Sequence, residues 1–241
     1  MQLPISKVQG ATANPKLLVI AGFYKSGKTT SLAALENNLV VDTEKGSIFV
    51  DAMRVDVPTL REYSELIRAL GTSEHRYRFI TVDTGTKLED IALELAAFNH
   101  KKSPIGKRWE GTAKDILNLP NGLGYGLLRN SYMELLSWLK PYCDTLILVC
   151  HIKTSSFQKD GEEFSQLDIN LTGQLKTIIA AEADAVGMFY RKGNRSILSF
   201  KGGESFLVGA RPSHLKNKDF TIIESDESGS LKIDWSQVFP S

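Results

Sequence analysis

The sequence predicts an α/β fold in which a mostly parallel central sheet carries helices on both faces. Short apolar runs bounded by turn residues have the length and composition of strands that are buried on both sides. The segments between them place apolar residues three and four positions apart, which is the spacing of an amphipathic helix. Strands that alternate with helices in this way form parallel sheets covered on both faces.

The predicted elements follow one another in a regular order. Strands are expected at residues 16–21, 39–42, 79–83, 145–150, 185–190 and 196–200, with two short apolar segments at 220–223 and 231–234. Helices are expected at residues 27–37, 58–70, 88–98, 127–139 and 173–182. Residues 99–121 and 152–172 show no clear periodicity, and we expect them to be irregular.

Length and composition indicate one globular domain. A chain of 241 residues can hold a single large α/β domain, and we expect a core at about 16–212 with a short C-terminal extension at 213–241. The 29 Lys and Arg residues nearly balance the 28 Asp and Glu residues, so overall charge argues neither for nor against a nucleic-acid partner.

The cysteines and the hydropathy pattern point to a cytoplasmic protein without a membrane partner. Cys143 and Cys150 have no matching histidine cluster, so a zinc site is not expected, and Cys150 lies in an apolar run typical of a buried, reduced thiol. Neither a signal peptide nor a membrane-spanning stretch is predicted.

Residues 22–29 read Gly-Phe-Tyr-Lys-Ser-Gly-Lys-Thr and match the P-loop pattern GxxxxGK[ST] at every fixed position. Gly22 and Gly27 permit backbone angles that turn consecutive N–H groups around phosphate oxygens. Lys28 is expected to reach the β- and γ-phosphates, and the hydroxyl of Thr29 to bind Mg²⁺. We therefore expect a nucleoside triphosphate with Mg²⁺, and ATP in particular, although such a loop contacts the phosphates and not the base. The residues expected to contact the nucleotide are Gly22, Phe23, Tyr24, Lys25, Ser26, Gly27, Lys28, Thr29 and Thr30.

Asp83 ends the predicted strand 79–83, and the carboxyl ends of parallel strands are where α/β sheets bind their ligands. We expect Asp83 to hold Mg²⁺ together with Thr29, as a Walker B acid. The alternative is that Asp83 caps the following helix, but Thr84 or Thr86 could serve as the cap instead.

Hydrolysis also needs a group that orients or deprotonates water. Glu44 is the favoured candidate because it follows a predicted strand end, whereas Glu89 and Asp90 lie at a helix start, where acids often only complement the helix dipole. His151, at the tip of the strand 145–150, could contact the γ-phosphate and report its loss to the next loop. The alternative is that the His151 side chain only forms a hydrogen bond with the backbone of the loop.

These segments together resemble the RecA-like branch of P-loop ATPases, and in particular the small phage-encoded RecA-fold proteins of single-strand annealing and recombination. The resemblance covers roughly residues 16–212 and is carried by the segments at 22–29, 40–46 (Val-Val-Asp-Thr-Glu-Lys-Gly), 79–84 (Phe-Ile-Thr-Val-Asp-Thr) and 148–153 (Leu-Val-Cys-His-Ile-Lys).

The resemblance implies a role for three residues. Glu44 would activate the attacking water, and His151 would couple the γ-phosphate to DNA binding. RecA itself has Gln at that position, so His151 points to a phage-type or archaeal-like subgroup. Arg211 would complete the site of a neighbouring subunit in a ring or filament, and its competitors for that role are Arg191, Lys192 and Arg195.

Two segments are candidates for contact with single-stranded DNA, because such binders combine basic side chains with stacking rings. Residues 100–109 form a basic segment with one aromatic ring. Residues 152–172 occupy the place of the second DNA loop of RecA-like proteins, although Asp160, Glu162, Glu163 and Asp168 make this segment net acidic. The candidate DNA contacts are Lys101, Lys102, Lys107, Arg108, Trp109 and Lys153.

The leading hypothesis is a homo-oligomeric RecA-like ATPase that depends on Mg²⁺ and single-stranded DNA and supports phage-type recombination or annealing in a bacterial host. A single-strand-binding protein is a further expected partner. Two alternatives stay open: a phosphotransferase in which residues 99–109 act as a lid, and a module that binds ATP without hydrolysing it.

Overall fold

The computed structural model of the protein describes residues 13–159, 162–202 and 207–240, with the side chains of 156–166 outside the description. Eleven strands and five α-helices lie within these residues. The strands are β1 (Leu17–Gly22), β2 (Asn38–Asp42), β3 (Met53–Asp56), β4 (Tyr77–Asp83), β5 (Cys143–Lys159), β6 (Glu162–Ile169), β7 (Ala185–Lys192), β8 (Arg195–Ser199), β9 (Gly209–Ala210), β10 (Asp219–Ser225) and β11 (Leu231–Ile233). The helices are α1 (Lys28–Ala33), α2 (Leu60–Thr72), α3 (Gly85–Lys102), α4 (Leu123–Leu139) and α5 (Leu175–Glu182).

The central sheet confirms the predicted α/β fold. Its strand order is β11-β10-β8-β7-β1-β5-β4-β2-β3, and the six strands from β7 to β3 run parallel. Strands β8, β10 and β11 extend the sheet in antiparallel fashion beside β7. Strand β5 lies between β1 and β4, with His151 opposite Gly22 and Val149 opposite Asp83. The carboxyl ends of β1, β5, β4 and β2 therefore meet at one edge.

The two faces of the sheet are buried against different parts of the chain. In β1, Leu17 and Val19 belong to one core, whereas Leu18 and Ile20 belong to the other, as the period of two in a strand requires. Helices α2 to α5 cover the first face, with buried side chains such as Leu70, Leu95, Leu135 and Ile179. The second face is covered by the short helix α1 and by residues beyond 212.

The C-terminal segment packs onto this second face. The indole Nε1 of Trp235 donates a hydrogen bond to the carbonyl oxygen of Ser31 at 2.7 Å, and Phe239 packs on Phe79 with ring centroids 4.7 Å apart. Val238 is fully buried. The predicted core at 16–212 and the predicted extension at 213–241 thus share one hydrophobic cluster. That the whole chain forms a single domain stays a prediction.

The expectation of an irregular loop at 152–172 is wrong for most of its length. Strand β5 continues past the sheet to Lys159 and pairs with β6 in an antiparallel hairpin, from Ile152 opposite Ile169 to Lys159 opposite Glu162. A polar hairpin is held by its backbone ladder and shows little of the apolar periodicity by which strands are predicted. We call residues 152–169 the β5–β6 hairpin.

Several other boundaries differ from the predictions. Helix α1 ends at Ala33 instead of 37, and Asn37 (φ 55°) adopts the left-handed conformation that turns the chain into β2. Helix α3 extends to Lys102, so part of the stretch 99–121 is helical, and 3-10 turns follow at 113–118 and 120–122. Strand β3, an edge strand with little burial, was not predicted.

Among the described residues, no helix has both the length and the apolar character that a membrane crossing requires.

Candidate nucleotide-binding site

The phosphate loop, residues 22–29, joins the end of β1 to the start of α1. Gly27 has φ 96°, a left-handed conformation that favours glycine. Gly22 is needed for a different reason, since a Cβ atom there would lie 2.3 Å from the carbonyl oxygen of Phe189 on β7. The two fixed glycines of the motif therefore meet two separate requirements of this fold.

Lys28 is buried inside the loop that carries it. Its Nζ donates hydrogen bonds to the carbonyl oxygens of Gly22 at 3.1 Å and Phe23 at 2.7 Å. Burial lowers the pKa of Lys28 from its ordinary value, and the nearby carboxylate of Asp83 opposes this shift. The ammonium group thus lies where the loop would hold phosphate oxygens.

Thr29 and Asp83 are brought together as predicted. The hydroxyl of Thr29 donates to Oδ2 of Asp83 at 2.5 Å. Burial raises the pKa of Asp83, and the hydrogen bond from Thr29 opposes that effect. Thr84, not Asp83, caps α3, because its side chain accepts a hydrogen bond from the backbone N–H of Lys87 at 3.1 Å.

This pair fits Mg²⁺, a hard cation that prefers oxygen ligands and is commonly bound by one or two protein groups together with phosphates. Among the described residues, no cluster of three or more His, Cys, Asp or Glu side chains offers a complete cage for a metal ion. Thr29 and Asp83 would therefore hold the ion together with the nucleotide.

Asp42 fixes the loop that carries Glu44. Its buried carboxylate accepts hydrogen bonds from the backbone N–H groups of Glu44 at 2.9 Å and Ser47 at 2.8 Å, and from the Ser47 hydroxyl at 2.5 Å. Burial opposes ionisation of Asp42, but the hydrogen bonds from Ser47, Glu44 and Gly46 lower its pKa below the ordinary value.

Glu44 extends from this loop towards β4 and β5. The hydroxyl of Thr84 donates to its Oε1 at 2.8 Å, and Nε2 of His151 lies 3.8 Å from the same oxygen, beyond hydrogen-bond distance. The contact with His151 and the hydrogen bond from Thr84 lower the pKa of Glu44, against the opposing effect of burial. Glu44 is therefore held as an anion.

His151 is 6% exposed, and its ring is stacked on that of Tyr24 with centroids 3.7 Å apart and an interplanar angle of 21°. Neither ring nitrogen has a hydrogen-bond partner among the described residues. Within the described residues, the His151 side chain therefore does not form the hydrogen bond to loop backbone that was the alternative to a contact with the γ-phosphate.

These side chains surround a cavity of about 460 Å³. Of the nine residues expected to contact the nucleotide, Gly22 and Phe23 are not part of its lining, and they contribute the carbonyl groups that hold Lys28. The residues that line it are Tyr24, Lys25, Ser26, Gly27, Lys28, Thr29, Thr30, Asp42, Glu44, Gly46, Val50, Asp83, Thr84, His151 and Arg191.

The acids that competed with Glu44 are engaged elsewhere. Glu89 accepts a hydrogen bond from the backbone N–H of Thr172 at 2.9 Å, and Asp90 forms an ion pair with Lys87. Neither lines the cavity.

The basic residues that are candidates for completing the site of a neighbouring subunit lie in different parts of the structure. Arg211 donates to the carbonyl oxygen of Ala181 at 2.5 Å and pairs with Asp184 at 3.4 Å. Asp184 also accepts a hydrogen bond from the N–H of Lys16, at the amino end of β1 and so at the edge opposite the phosphate loop. Arg191 lines the chain's own cavity, whereas Lys192 and Arg195 do not.

The basic segment 100–109 lies away from the cavity. Helix α3 begins beside Asp83, and its 18 residues carry Lys101 and Lys102 about 27 Å along the helix axis. The ammonium of Lys101 lies 5.4 Å from the ring centroid of Trp109, and Lys107 and Arg108 are exposed. None of residues 99–109, all within the described ranges, lines the cavity, so this segment does not form the lid that a phosphotransferase was expected to have.

In the β5–β6 hairpin, Lys153 is exposed and lies opposite Asp168. Asp168 is buried and pairs with Lys176 of α5, so it does not add to the surface charge of the hairpin as the sequence suggested. The other three acids, Asp160, Glu162 and Glu163, have side chains outside the described residues.

Sequence reasoning missed the supporting residues of the site. Asp42 and Ser47 form the turn that positions Glu44, and Thr84 orients its carboxylate. An Asp whose carboxylate bonds N–H groups a few residues later is a turn signal that could have been read from the sequence. The stacking of Tyr24 on His151 has no such local signal.

Comparison with known proteins agrees with this geometry. A family model described as an AAA domain matches residues 14–212, which is most of the chain and nearly the range of the resemblance noted in the sequence. No curated protein matches the chain in sequence. Because the match covers more than half of the chain, the chain belongs to the AAA domain family of P-loop ATPases.

Proposed function

We propose that the protein hydrolyses ATP in a Mg²⁺-dependent reaction stimulated by single-stranded DNA, and that it acts as a homo-oligomer in phage-type recombination or strand annealing. The observation that carries the hydrolytic part is the position of Glu44. An anionic carboxylate lines the cavity of the phosphate loop and is held by Thr84 and His151. A module that only bound ATP would not need such a group.

The roles of the side chains follow from their positions. Lys28 and the loop N–H groups stabilise negative charge on the β- and γ-phosphates. Thr29 and Asp83 would hold Mg²⁺, and the ion would supply positive charge beside the phosphates. Glu44 orients the attacking water and accepts its proton as the water oxygen bonds to the γ-phosphorus. The bond from the γ-phosphorus to the bridging oxygen breaks in the same displacement, and ADP leaves with that electron pair.

The DNA part of the proposal is supported by continuity of the chain. His151 faces the cavity, and the β5–β6 hairpin begins at the next residue of the same strand. Lys153, two residues beyond His151, is exposed and available to a phosphate backbone. A change at the γ-phosphate could thus be transmitted to a DNA-binding element through one strand.

The oligomeric part is supported by Arg211. Because a residue that acts on a neighbouring subunit must lie away from its own site, its place at the opposite edge of the sheet is compatible with this role. Its side chain is 62% exposed and can reach a second copy.

The test is ATP hydrolysis with Mg²⁺, measured with and without a long single strand of DNA, for the wild type and Lys28→Ala. We expect DNA to raise the wild-type rate and Lys28→Ala to reduce turnover by about 100-fold or more. Lys216→Ala, an exposed lysine outside the cavity, is the matched control and should leave the rate unchanged. Full turnover by Lys28→Ala would refute the assignment of the site. Turnover indifferent to DNA would refute the DNA part alone.

A further inference from the structure

Tyr24 occupies a variable position of the P-loop pattern, yet its ring makes the closest aromatic contact in the site. It is 62% exposed, but one face of its ring lies flat on the imidazole of His151. Exposed tyrosines on loops have rotational freedom that a contact of this kind removes. A stacked pair of rings is therefore a specific arrangement that restricts both side chains.

The surroundings of His151 leave its ring dependent on this contact. The backbone of His151 is fixed, because its N–H donates to the hydroxyl of Thr86 at 3.2 Å and its carbonyl accepts from the N–H of Asn170 at 2.8 Å. The ring nitrogens have no hydrogen-bond partner among the described residues. Besides the stack, Nε2 of His151 lies 3.8 Å from Oε1 of Glu44.

Glu44 depends on the same ring in turn. Its carboxylate is oriented by one hydrogen bond, from Thr84, and by the contact with His151. If the imidazole rotated away, one of these two constraints on Glu44 would be lost. The stack thus links the phosphate loop on one side to the carboxylate that orients water on the other.

We infer that Tyr24 is a positioning residue for hydrolysis: through the face of its ring it holds His151 beside Glu44, without contacting the reacting atoms. This inference rests on the proposed hydrolysis and adds a residue to it. It assigns the function to the ring face of Tyr24 and not to its hydroxyl, which makes the comparison of Tyr24→Ala with Tyr24→Phe informative.

The experiment compares kcat and KM for ATP among the wild type, Tyr24→Ala and Tyr24→Phe. We expect Tyr24→Ala to lower kcat about tenfold with KM within about twofold, because the loss of a stacked pair misplaces Glu44 without removing a phosphate contact. Tyr24→Phe keeps the ring and should restore kcat to within about twofold of wild type. Tyr125→Ala, an exposed tyrosine of α4 outside the cavity, is the matched control and should leave both constants unchanged.

Two kinetic outcomes would overturn the inference. A raised KM with unchanged kcat in Tyr24→Ala would make Tyr24 a nucleotide contact instead. Unchanged kcat and KM would remove any role for the stack.

Absence of turnover in the wild type would refute the proposed hydrolysis. In that case NMR still tests whether Tyr24 positions the ring of His151. The His151 ring protons, assigned with His151→Gln, should show an upfield ring-current shift in the wild type and Tyr24→Phe that Tyr24→Ala removes. Identical His151 shifts in Tyr24→Ala and the wild type would overturn the inference independently of ATP hydrolysis.

Discussion

The carboxylate of Asp42 holds the loop that carries Glu44, since it accepts hydrogen bonds from the N–H groups of Glu44 and Ser47. Asp42→Asn keeps the shape of the side chain but replaces a charged acceptor by an amide. We expect this change to reduce the free energy of unfolding by about 1–3 kcal/mol in urea denaturation and to lower kcat by displacing Glu44.

The pH dependence follows from the direction of the pKa shift. The pKa of Asp42 is lower in the folded protein than its ordinary value of 3.8, so its stabilising effect is complete above that value and is lost as the pH falls through the folded pKa. The stability difference between wild type and Asp42→Asn should therefore be constant near neutral pH and shrink below about pH 3.8. Equal stability of the two proteins at pH 7 would contradict this account.

Glu44→Gln should retain ATP binding and lose hydrolysis, because an amide cannot accept the proton of water. We expect kcat to fall by about 10²–10⁴-fold in a turnover assay. A binding assay on the same samples should show that ATP is still bound. Glu89→Gln is the matched control, since Glu89 bonds the backbone of Thr172 outside the cavity, and it should keep kcat. Loss of turnover in Glu89→Gln but not in Glu44→Gln would exchange the two roles.

At this scale the sequence predicted what a local motif determines. Lys28, Thr29 and Asp83 were found because the P-loop and a strand that ends in Asp are short patterns with a fixed chemical purpose. The stack of Tyr24 on His151 and the place of Arg191 in the cavity join residues more than 100 positions apart. Such contacts depend on strand order, which no local pattern specifies.

At the scale of elements, the β5–β6 hairpin offers a direct test of DNA coupling. Lys153 and Asp168 are paired residues, so residues 154–167 can be replaced by a two-residue Asn-Gly turn of the kind that closes tight hairpins. The variant also carries Lys153→Ala, so that the basic side chain at the base of the hairpin is removed as well. We expect ATP binding and the basal rate to stay within about threefold of wild type and the stimulation by single-stranded DNA to disappear. Because Asp168 and its partner Lys176 are kept, the variant preserves the buried ion pair at the base of the hairpin.

Undiminished DNA stimulation in this variant would contradict a role for the hairpin and favour the segment 100–109. Lys101→Glu combined with Lys102→Glu would then be the variant to measure, since both side chains lie at the exposed end of α3.

The elements that were predicted correctly are those with a buried apolar stripe. Strands β1, β2, β4 and the sheet portion of β5 are apolar because both faces are covered, and α2 shows its buried side chains at helical spacing. The hairpin and the edge strand β3 lack this signal. Their pairing is made by backbone groups that every sequence has, and the polar segment 152–172 was therefore mistaken for a loop.

At the scale of the whole molecule, the second face of the sheet depends on the C-terminal segment. Trp235 is 7% exposed, and its indole N–H donates a hydrogen bond to the carbonyl oxygen of Ser31 in α1, the helix that follows the phosphate loop. We expect Trp235→Ala to lower the free energy of unfolding by about 3–5 kcal/mol, as measured in urea, because it opens a cavity and leaves a carbonyl without its donor. Phe49→Ala, at a residue 91% exposed, should change stability by less than about 0.5 kcal/mol. Similar effects of the two changes would argue that the tail is dispensable.

Mixing two inactive variants tests whether Arg211 acts on a neighbouring subunit. Lys28→Ala supplies an intact Arg211, and Arg211→Ala supplies an intact phosphate loop. An equal mixture should regain about one quarter of the wild-type rate, since half of the sites are intact and half of their neighbours in a head-to-tail assembly are competent.

Arg191→Ala mixed with Lys28→Ala is the comparison, and we expect no recovery, because Arg191 lines the cavity of its own chain. Recovery with Arg191→Ala but not with Arg211→Ala would reverse this assignment.

Strand β5 changes its partners along its length. From Leu146 to Val149 it is paired on both sides, with β1 and β4, whereas from Ile152 onward its partner among the described strands is β6. Amide hydrogens of the first part can exchange with solvent only when the centre of the sheet opens, while those of the second part need only the hairpin to open. Exchange should therefore accelerate abruptly beyond His151. The residue that faces the cavity thus marks the boundary between the slowly opening centre of the sheet and a hairpin that opens on its own.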